Sequence, residues 1–171
     1  MYDVRDVLLA LNTLKGKFGK LALYGGSYGG CLCAHLAGQY PDMFSAMVLR
    51  NPLIDLATKV NYADNPDGCY VEAGQTYDES GEVLEKDIVA MRRCSPIVHV
   101  HKVKAPTALM LGSNDRRVPY YQGLEYAKRL KANGVDTKVY LYEDNHSLSS
   151  LSVEIDNLIN AADWFLAHLK E

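Results

Sequence analysis

An apolar run, Leu21-Ala22-Leu23-Tyr24, leads straight into Gly25-Gly26-Ser27-Tyr28-Gly29-Gly30, and a helical pattern starts directly afterwards. Few junctions restrict a chain more. So abrupt a turn between strand and helix drives its central residue into a strained backbone conformation and lifts a serine hydroxyl clear of the sheet. There the hydroxyl can meet a base and a substrate together. Glycines at 25 and 29 are expected to let strand and helix pass closely. The competing reading is a glycine-rich junction with an incidental serine. The strand before Gly-x-Ser-x-Gly and the helix after it argue against that reading.

The rest of the chain supplies a frame for such a turn. Val4, Val7, Leu8, Leu11 and Leu14 recur at helical spacing over residues 2–15, with Asp3 and Asp6 in the first turns and Gly16 as a stop. Strands are predicted at residues 20–25, 46–50, 107–112 and 137–142, and helices at 28–39, 82–94, 121–131 and 150–169. The 55–77 stretch is irregular, and Asn65-Pro66-Asp67-Gly68 within it reads as a turn. Apolar strands alternating with helices imply an α/β fold, a parallel sheet with helices on both faces. Ligands on such sheets sit at the carboxyl ends of the strands. If Ser27 is a nucleophile, its partners belong just after later strands.

Two residues meet that condition. Asp115 follows the strand at 107–112, and His146 follows the strand at 137–142. Serine, aspartate, histidine is the chain order of the α/β-hydrolase arrangement. His146 would take the proton of Ser27 during attack and pass it to the leaving group. Asp115 would orient the imidazole and stabilise its charged form. The backbone N–H of Tyr28 would donate to the oxyanion, a contribution of roughly 3 kcal/mol to the barrier. Asp144 competes for the acid role but shares a tight loop with His146. Arg116 and Arg117 sit beside Asp115, where pairing with acidic neighbours is the expected use of at least one.

Composition excludes several function classes. With 48% hydrophobic residues and a net charge of −3, the chain can bury a core and carries no basic cluster suited to nucleic acid. No apolar run is long enough to span a bilayer, and the acid-containing N-terminal segment is not a secretory signal. Cys31, Cys33, Cys69 and Cys94 read as reduced thiols of a cytoplasmic protein. His99 and His101 lack partners spaced for a metal, so they read as surface residues, and no metal or other cofactor is expected.

Several segments together resemble the catalytic domain of the prolyl oligopeptidase family, in its acylaminoacyl-peptidase branch. They are the Gly25–Gly30 elbow, Arg50-Asn51-Pro52, Ser95-Pro96-Ile97 before Val103-Lys104-Ala105-Pro106, and Leu109-Met110-Leu111-Gly112-Ser113-Asn114-Asp115-Arg116-Arg117-Val118-Pro119. Gly38-Gln39-Tyr40-Pro41, Val71-Glu72-Ala73-Gly74 and Gln122-Gly123-Leu124-Glu125-Tyr126 point to the same branch. The elbow is shared by many hydrolases; the Asp-Arg-Arg-Val-Pro block and the Arg-Asn-Pro turn are more specific.

The resemblance implies a serine peptidase that releases an N-acylated amino acid from the blocked N-terminus of short peptides, with Ser27 as nucleophile, Asp115 as acid and His146 as base. It implies a cytosolic enzyme without cofactor, working as a homo-oligomer or in association with the rest of a longer enzyme. Tyr28 departs from the histidine common in that branch. The propeller domain and first sheet strands of the family have no counterpart here, so residues 1–171 are expected to be the C-terminal part of an α/β-hydrolase domain. The strand carrying Ser27 would then lie at a sheet edge. One oxyanion donor would be missing, and the isolated chain would be weakly active or inactive. Two alternatives stay open: another hydrolase with the same machinery (a dipeptidyl-peptidase or carboxylesterase), and a non-catalytic subunit that inherited the triad.

Overall fold

The computed structural model describes residues 2–14 and 16–169. Met1, Lys15, Lys170 and Glu171 lie outside the described residues, including the part of the first expected helix that falls on Lys15. The four strands are β1 (Ala22–Gly26), β2 (Ala46–Arg50), β3 (Thr107–Gly112) and β4 (Thr137–Tyr142), and they pair in parallel in the order β1-β2-β3-β4. Each neighbour in the sheet is also the next strand in the chain. The register aligns Leu23 with Met47, Leu49 with Leu109, and Leu109 with Val139. Side chains at every second position therefore share a face.

That alternation builds two cores. One face carries Leu23, Met47, Leu49, Leu109 and Leu111 under α1 (Tyr2–Asn12), α2 (Tyr28–Gln39), the 3₁₀ segment Pro96–Lys102 and α6 (Tyr121–Ala132). The other carries Ala46, Val48, Ala108 and Met110 under Ala161 and Trp164 of α7 (Leu151–His168). All six residues of β3 are buried, as expected of a strand covered on both sides. Among the described residues β1 pairs on one side only, and its Tyr24 is exposed, its ring 6.5 Å from that of Phe165 of α7 in an edge-on arrangement. A third cluster lies over the carboxyl ends of the strands. It is built from Cys31, Leu53, Leu56, Cys69, Tyr70, Met91 and Val118.

The expected sheet and its principal helices are present, with shifted ends. The first helix stops at Asn12, and the one expected from residue 82 is α5 (Glu85–Arg93), which starts where the Asp87 carboxylate accepts the Leu84 N–H at 3.1 Å. One expectation is corrected. Asn65-Pro66-Asp67-Gly68 is not a free turn; it opens the helix α4 (Pro66–Glu72), which follows the short α3 (Leu56–Lys59). Proline suits the first helical position, because its φ is already helical and the N–H it lacks would have no helical partner. His101 is exposed as expected, but His99 is half-buried, its ring 5.7 Å from that of His35. No helix among the described residues is long and apolar enough to cross a membrane.

Candidate active site

The elbow forms as the sequence demands. Ser27 adopts φ 55° and ψ −122°, a positive-φ strain that a non-glycine residue accepts only when its surroundings over-determine it. Those surroundings are β1 and α2 in close approach. A Cβ on Gly25 would lie 2.4 Å from the Gly29 carbonyl oxygen and 2.8 Å from Cys33 Sγ, and one on Gly30 would lie 2.8 Å from Pro52 Cβ. A Cβ on Gly29 would meet nothing within 4 Å. The close approach expected of Gly25 and Gly29 is thus enforced at Gly25 and Gly30. Ser27 N–H donates to the Arg50 carbonyl at 2.9 Å, and the Ser27 carbonyl accepts from Leu53 N–H at 3.2 Å, so the turn is stitched to the end of β2.

Asp115 and His146 arrive from the ends of β3 and β4. His146 Nε2 lies 2.9 Å from Ser27 Oγ, and His146 Nδ1 lies 2.6 Å from Asp115 Oδ2. Asp115 is buried, and its other oxygen accepts two backbone N–H groups, from Arg117 at 2.8 Å and Val118 at 2.9 Å. An ionised carboxylate accepts only, so the imidazole must donate from Nδ1, which leaves the Nε2 lone pair for the serine hydroxyl. Tyr28 is the first residue of α2, where a backbone N–H has no partner within the helix and the helix dipole favours negative charge.

The competitors fall elsewhere. Asp144 accepts from Asn145 N–H at 2.7 Å and from Ser150 N–H and Oγ–H at 3.0 and 2.8 Å, bonds that hold its carboxyl below the usual range. It closes the histidine loop and leaves the imidazole to Asp115. Arg117 pairs with Asp64 at 2.6 Å, as expected of at least one of the two arginines. Burial pushes the thiols of Cys31 and Cys33 up to about 12, so neither competes with Ser27 as a nucleophile near neutral pH.

The histidine loop depends on two residues that composition and spacing did not single out. Asn51 Nδ2 donates to the carbonyls of His146 at 2.9 Å and Asn145 at 3.3 Å, and its Oδ1 accepts from Gly112 N–H at 2.8 Å. Arg50 donates to the carbonyls of Ser147 at 3.0 Å and Leu148 at 3.4 Å. Asn51 holds φ at 39° to do this. The one usable sequence signal was the Arg50-Asn51-Pro52 block at a strand end.

A family model described as the prolyl oligopeptidase family matches residues 2–171. The chain belongs to that family. It is 45% identical over 174 residues to the acylamino-acid-releasing enzyme of Sus scrofa and 37% identical over 177 residues to that of Arabidopsis thaliana. Each comparison covers 98% of this chain, which spans about a quarter of those relatives (24% and 23%). Among solved structures, the Pyrococcus horikoshii acylaminoacyl peptidase superposes with a TM-score of 0.82 at 21% identity, over 99% of this chain and 28% of that one. That likeness establishes a shared fold.

Within this family member one cavity, about 740 Å³, is bounded by residues such as Tyr62, Arg92, Tyr121 and Arg129 and includes none of Ser27, Asp115 and His146. A smaller one, about 100 Å³, opens beside Ser27 and Tyr28. We assign the chemistry to the smaller, because a substrate must lie within bonding reach of the nucleophile. Its wall is pinned from behind. Gln122 accepts from the N–H groups of Ile54 and Asp55 at 3.1 and 2.8 Å, Ser95 Oγ accepts from Leu56 N–H at 2.9 Å, and Asp55 pairs with Arg92. The Tyr28 hydroxyl donates to the carboxylate of Asp3 on α1. Burial and the neighbouring carboxylates push that phenol well above its usual range.

Proposed function

We propose that this chain carries the working residues of a serine peptidase that releases an N-acylated amino acid from the blocked N-terminus of a short peptide. The observation that carries the reading is the unbroken line from Ser27 Oγ through the His146 ring to Asp115, at 2.9 and 2.6 Å. Ser27 Oγ attacks the carbonyl carbon while His146 Nε2 takes its proton. The tetrahedral oxyanion accepts from Tyr28 N–H. Collapse breaks the carbon–nitrogen bond, and the leaving amine takes the proton from His146. Water then attacks the acyl-enzyme with His146 again as base, releasing the N-acyl amino acid and restoring the Ser27 hydroxyl.

The choice among serine hydrolases rests on the relatives, whose names specify release of acylamino acids. Because the chain spans about a quarter of their length, we place it as the C-terminal part of an α/β-hydrolase domain within a longer, cytoplasmic enzyme. Its partners are short N-acylated peptides and either further copies of itself or the rest of that enzyme. A fluorophosphonate probe tests the nucleophile: labelling should disappear in Ser27→Ala and fall in His146→Ala, and labelling that persists in Ser27→Ala overturns the assignment. Turnover of an acetyl-alanyl anilide above a free-amine dipeptidyl anilide and a nitrophenyl ester supports the acyl-peptide reading. Preference for the free amine would replace it with a dipeptidyl-peptidase.

A further inference from the structure

We infer that Asp3, at the start of α1, is a positioning residue for the oxyanion donor: it grips Tyr28 by its side chain and so helps to fix the direction of the Tyr28 N–H. The inference rests on the serine-hydrolase reading above and adds a residue that the reading does not use.

The donor belongs to one rigid unit, the planar peptide group between Ser27 and Tyr28. Its oxygen end is held twice. The Ser27 carbonyl accepts from Cys31 N–H at 3.1 Å and from Leu53 N–H at 3.2 Å. Its nitrogen end must stay free of any such bond, or the N–H would be spent before the oxyanion formed. A plane held at its oxygen alone can still tilt about that point. The tilt is opposed through the Tyr28 Cα, by whatever grips the side chain that it carries.

That grip is Asp3. Its carboxylate accepts from the Tyr28 hydroxyl across 25 positions of chain, and a charged acceptor makes such a bond stronger than one between neutral groups. The support behind it is firm. Val4, the next residue, is 4% exposed and packs into the core, with Val7, Leu8 and Leu11 of α1 partly buried beside it. The Tyr28 ring packs against the cluster that holds Cys31, Leu53, Leu56 and Val118. The elbow is therefore gripped from two sides. Ser27 is bonded through its backbone to Arg50 and Leu53 at the end of β2, and Tyr28 is bonded through its side chain to α1. A strained φ such as that of Ser27 persists only where the surroundings over-determine it.

A second carboxyl faces the same hydroxyl. Burial pushes Glu72, on α4, up from its usual range, and its contact with Tyr28 pulls it back. A phenol has one proton to donate, and the bond from Tyr28 Oη to Asp3 Oδ2 commits it to Asp3. Glu72 therefore supplies the comparison that an experiment needs.

Fluorophosphonate labelling of the full chain, followed against probe concentration, separates reversible binding from the chemical step. Asp3→Ala and Tyr28→Phe should each slow the chemical step about tenfold, the scale of a slightly misplaced donor, and leave reversible binding within about twofold. The double variant should be no slower than either single one, because both remove the same bond. Asp3→Asn keeps a carbonyl acceptor and should restore most of the rate. Glu72→Ala, by contrast, should add whatever effect it has to that of Tyr28→Phe. The boronic acid analogue of N-acetyl-alanine forms a tetrahedral anion on Ser27, and its affinity should fall in the same proportion as the chemical step. Thermal melts check the fold; a role confined to stability would lower the melt and leave the chemical step alone. An unchanged chemical step or boronate affinity in Asp3→Ala would overturn the inference. So would single effects that multiply in the double variant, an Asp3→Asn variant as slow as Asp3→Ala, or coupling to Tyr28 that belongs to Glu72 instead. A chain that does not label at Ser27 removes the serine-hydrolase reading as well, whereas one that labels there and is indifferent to Asp3 removes this inference alone.

Discussion

The elbow around Ser27 and the loop around His146 deliver the two ends of one hydrogen bond, yet they are held in place by different means. The elbow is shaped mostly within its own motif, with two backbone bonds to the end of β2. Gly25 admits the Gly29 carbonyl, Ser27 takes the strained conformation between them, and Cys31 N–H closes back on the Ser27 carbonyl at 3.1 Å. The loop is determined from a distance. Its carbonyls are held by Arg50 and Asn51, nearly a hundred residues earlier in the chain, and its base is tied by Asp144 to Ser150. A nucleophile written into a short motif therefore depends on a base whose position is set by another strand end.

The largest expected effect tests whether the two ends act as one unit. His146→Ala should lower the rate of Ser27 labelling by several orders of magnitude, up to about 10⁶-fold, and should leave the thermal melt close to wild type. Next comes the elbow itself. Gly25→Ala places a methyl 2.4 Å from backbone and should destabilise the fold by about 3 kcal/mol or more, whereas Gly29→Ala, with open space, should change it little; paired denaturant titrations compare them.

Acid should weaken the elbow side too. His35, on α2, has its Nε2 3.0 Å from the Cys94 carbonyl and its Nδ1 3.0 Å from Gln39 Nε2, and burial lowers its pKa from 6.5 to about 4. The folded state keeps it neutral while the unfolded chain binds the proton, so stability is whole above about pH 6.5. It should fall by roughly 3 kcal/mol as pH drops towards 4, a slope that His35→Gln removes in denaturant titrations at several pH values. Asn51→Ala should slow Ser27 labelling by roughly 10- to 100-fold through displacement of the loop, with Ser27 itself unmoved in a crystal structure. Asp144→Ala should cost about 1 kcal/mol in the melt, the scale of a lost cap.

The same contrast decides what could be read from residues alone. The four strands were legible because β2 and β3 are continuous apolar runs, and the elbow was legible because its glycines and serine are adjacent. Asp115 and His146 followed from a rule about strand ends. The Arg50–Asn51 clamp was not legible, since hydrogen bonds to loop carbonyls leave no periodic trace. Asn65–Gly68 misled because proline and glycine punctuate turns and helix starts alike.

Asp115 ends up with no freedom of its own. Rotation of its carboxylate would surrender the amides of Arg117 and Val118 together, so one oxygen alone is offered to the imidazole. The direction of proton travel was thus settled when the chain folded, and little rearrangement is left for the moment of reaction.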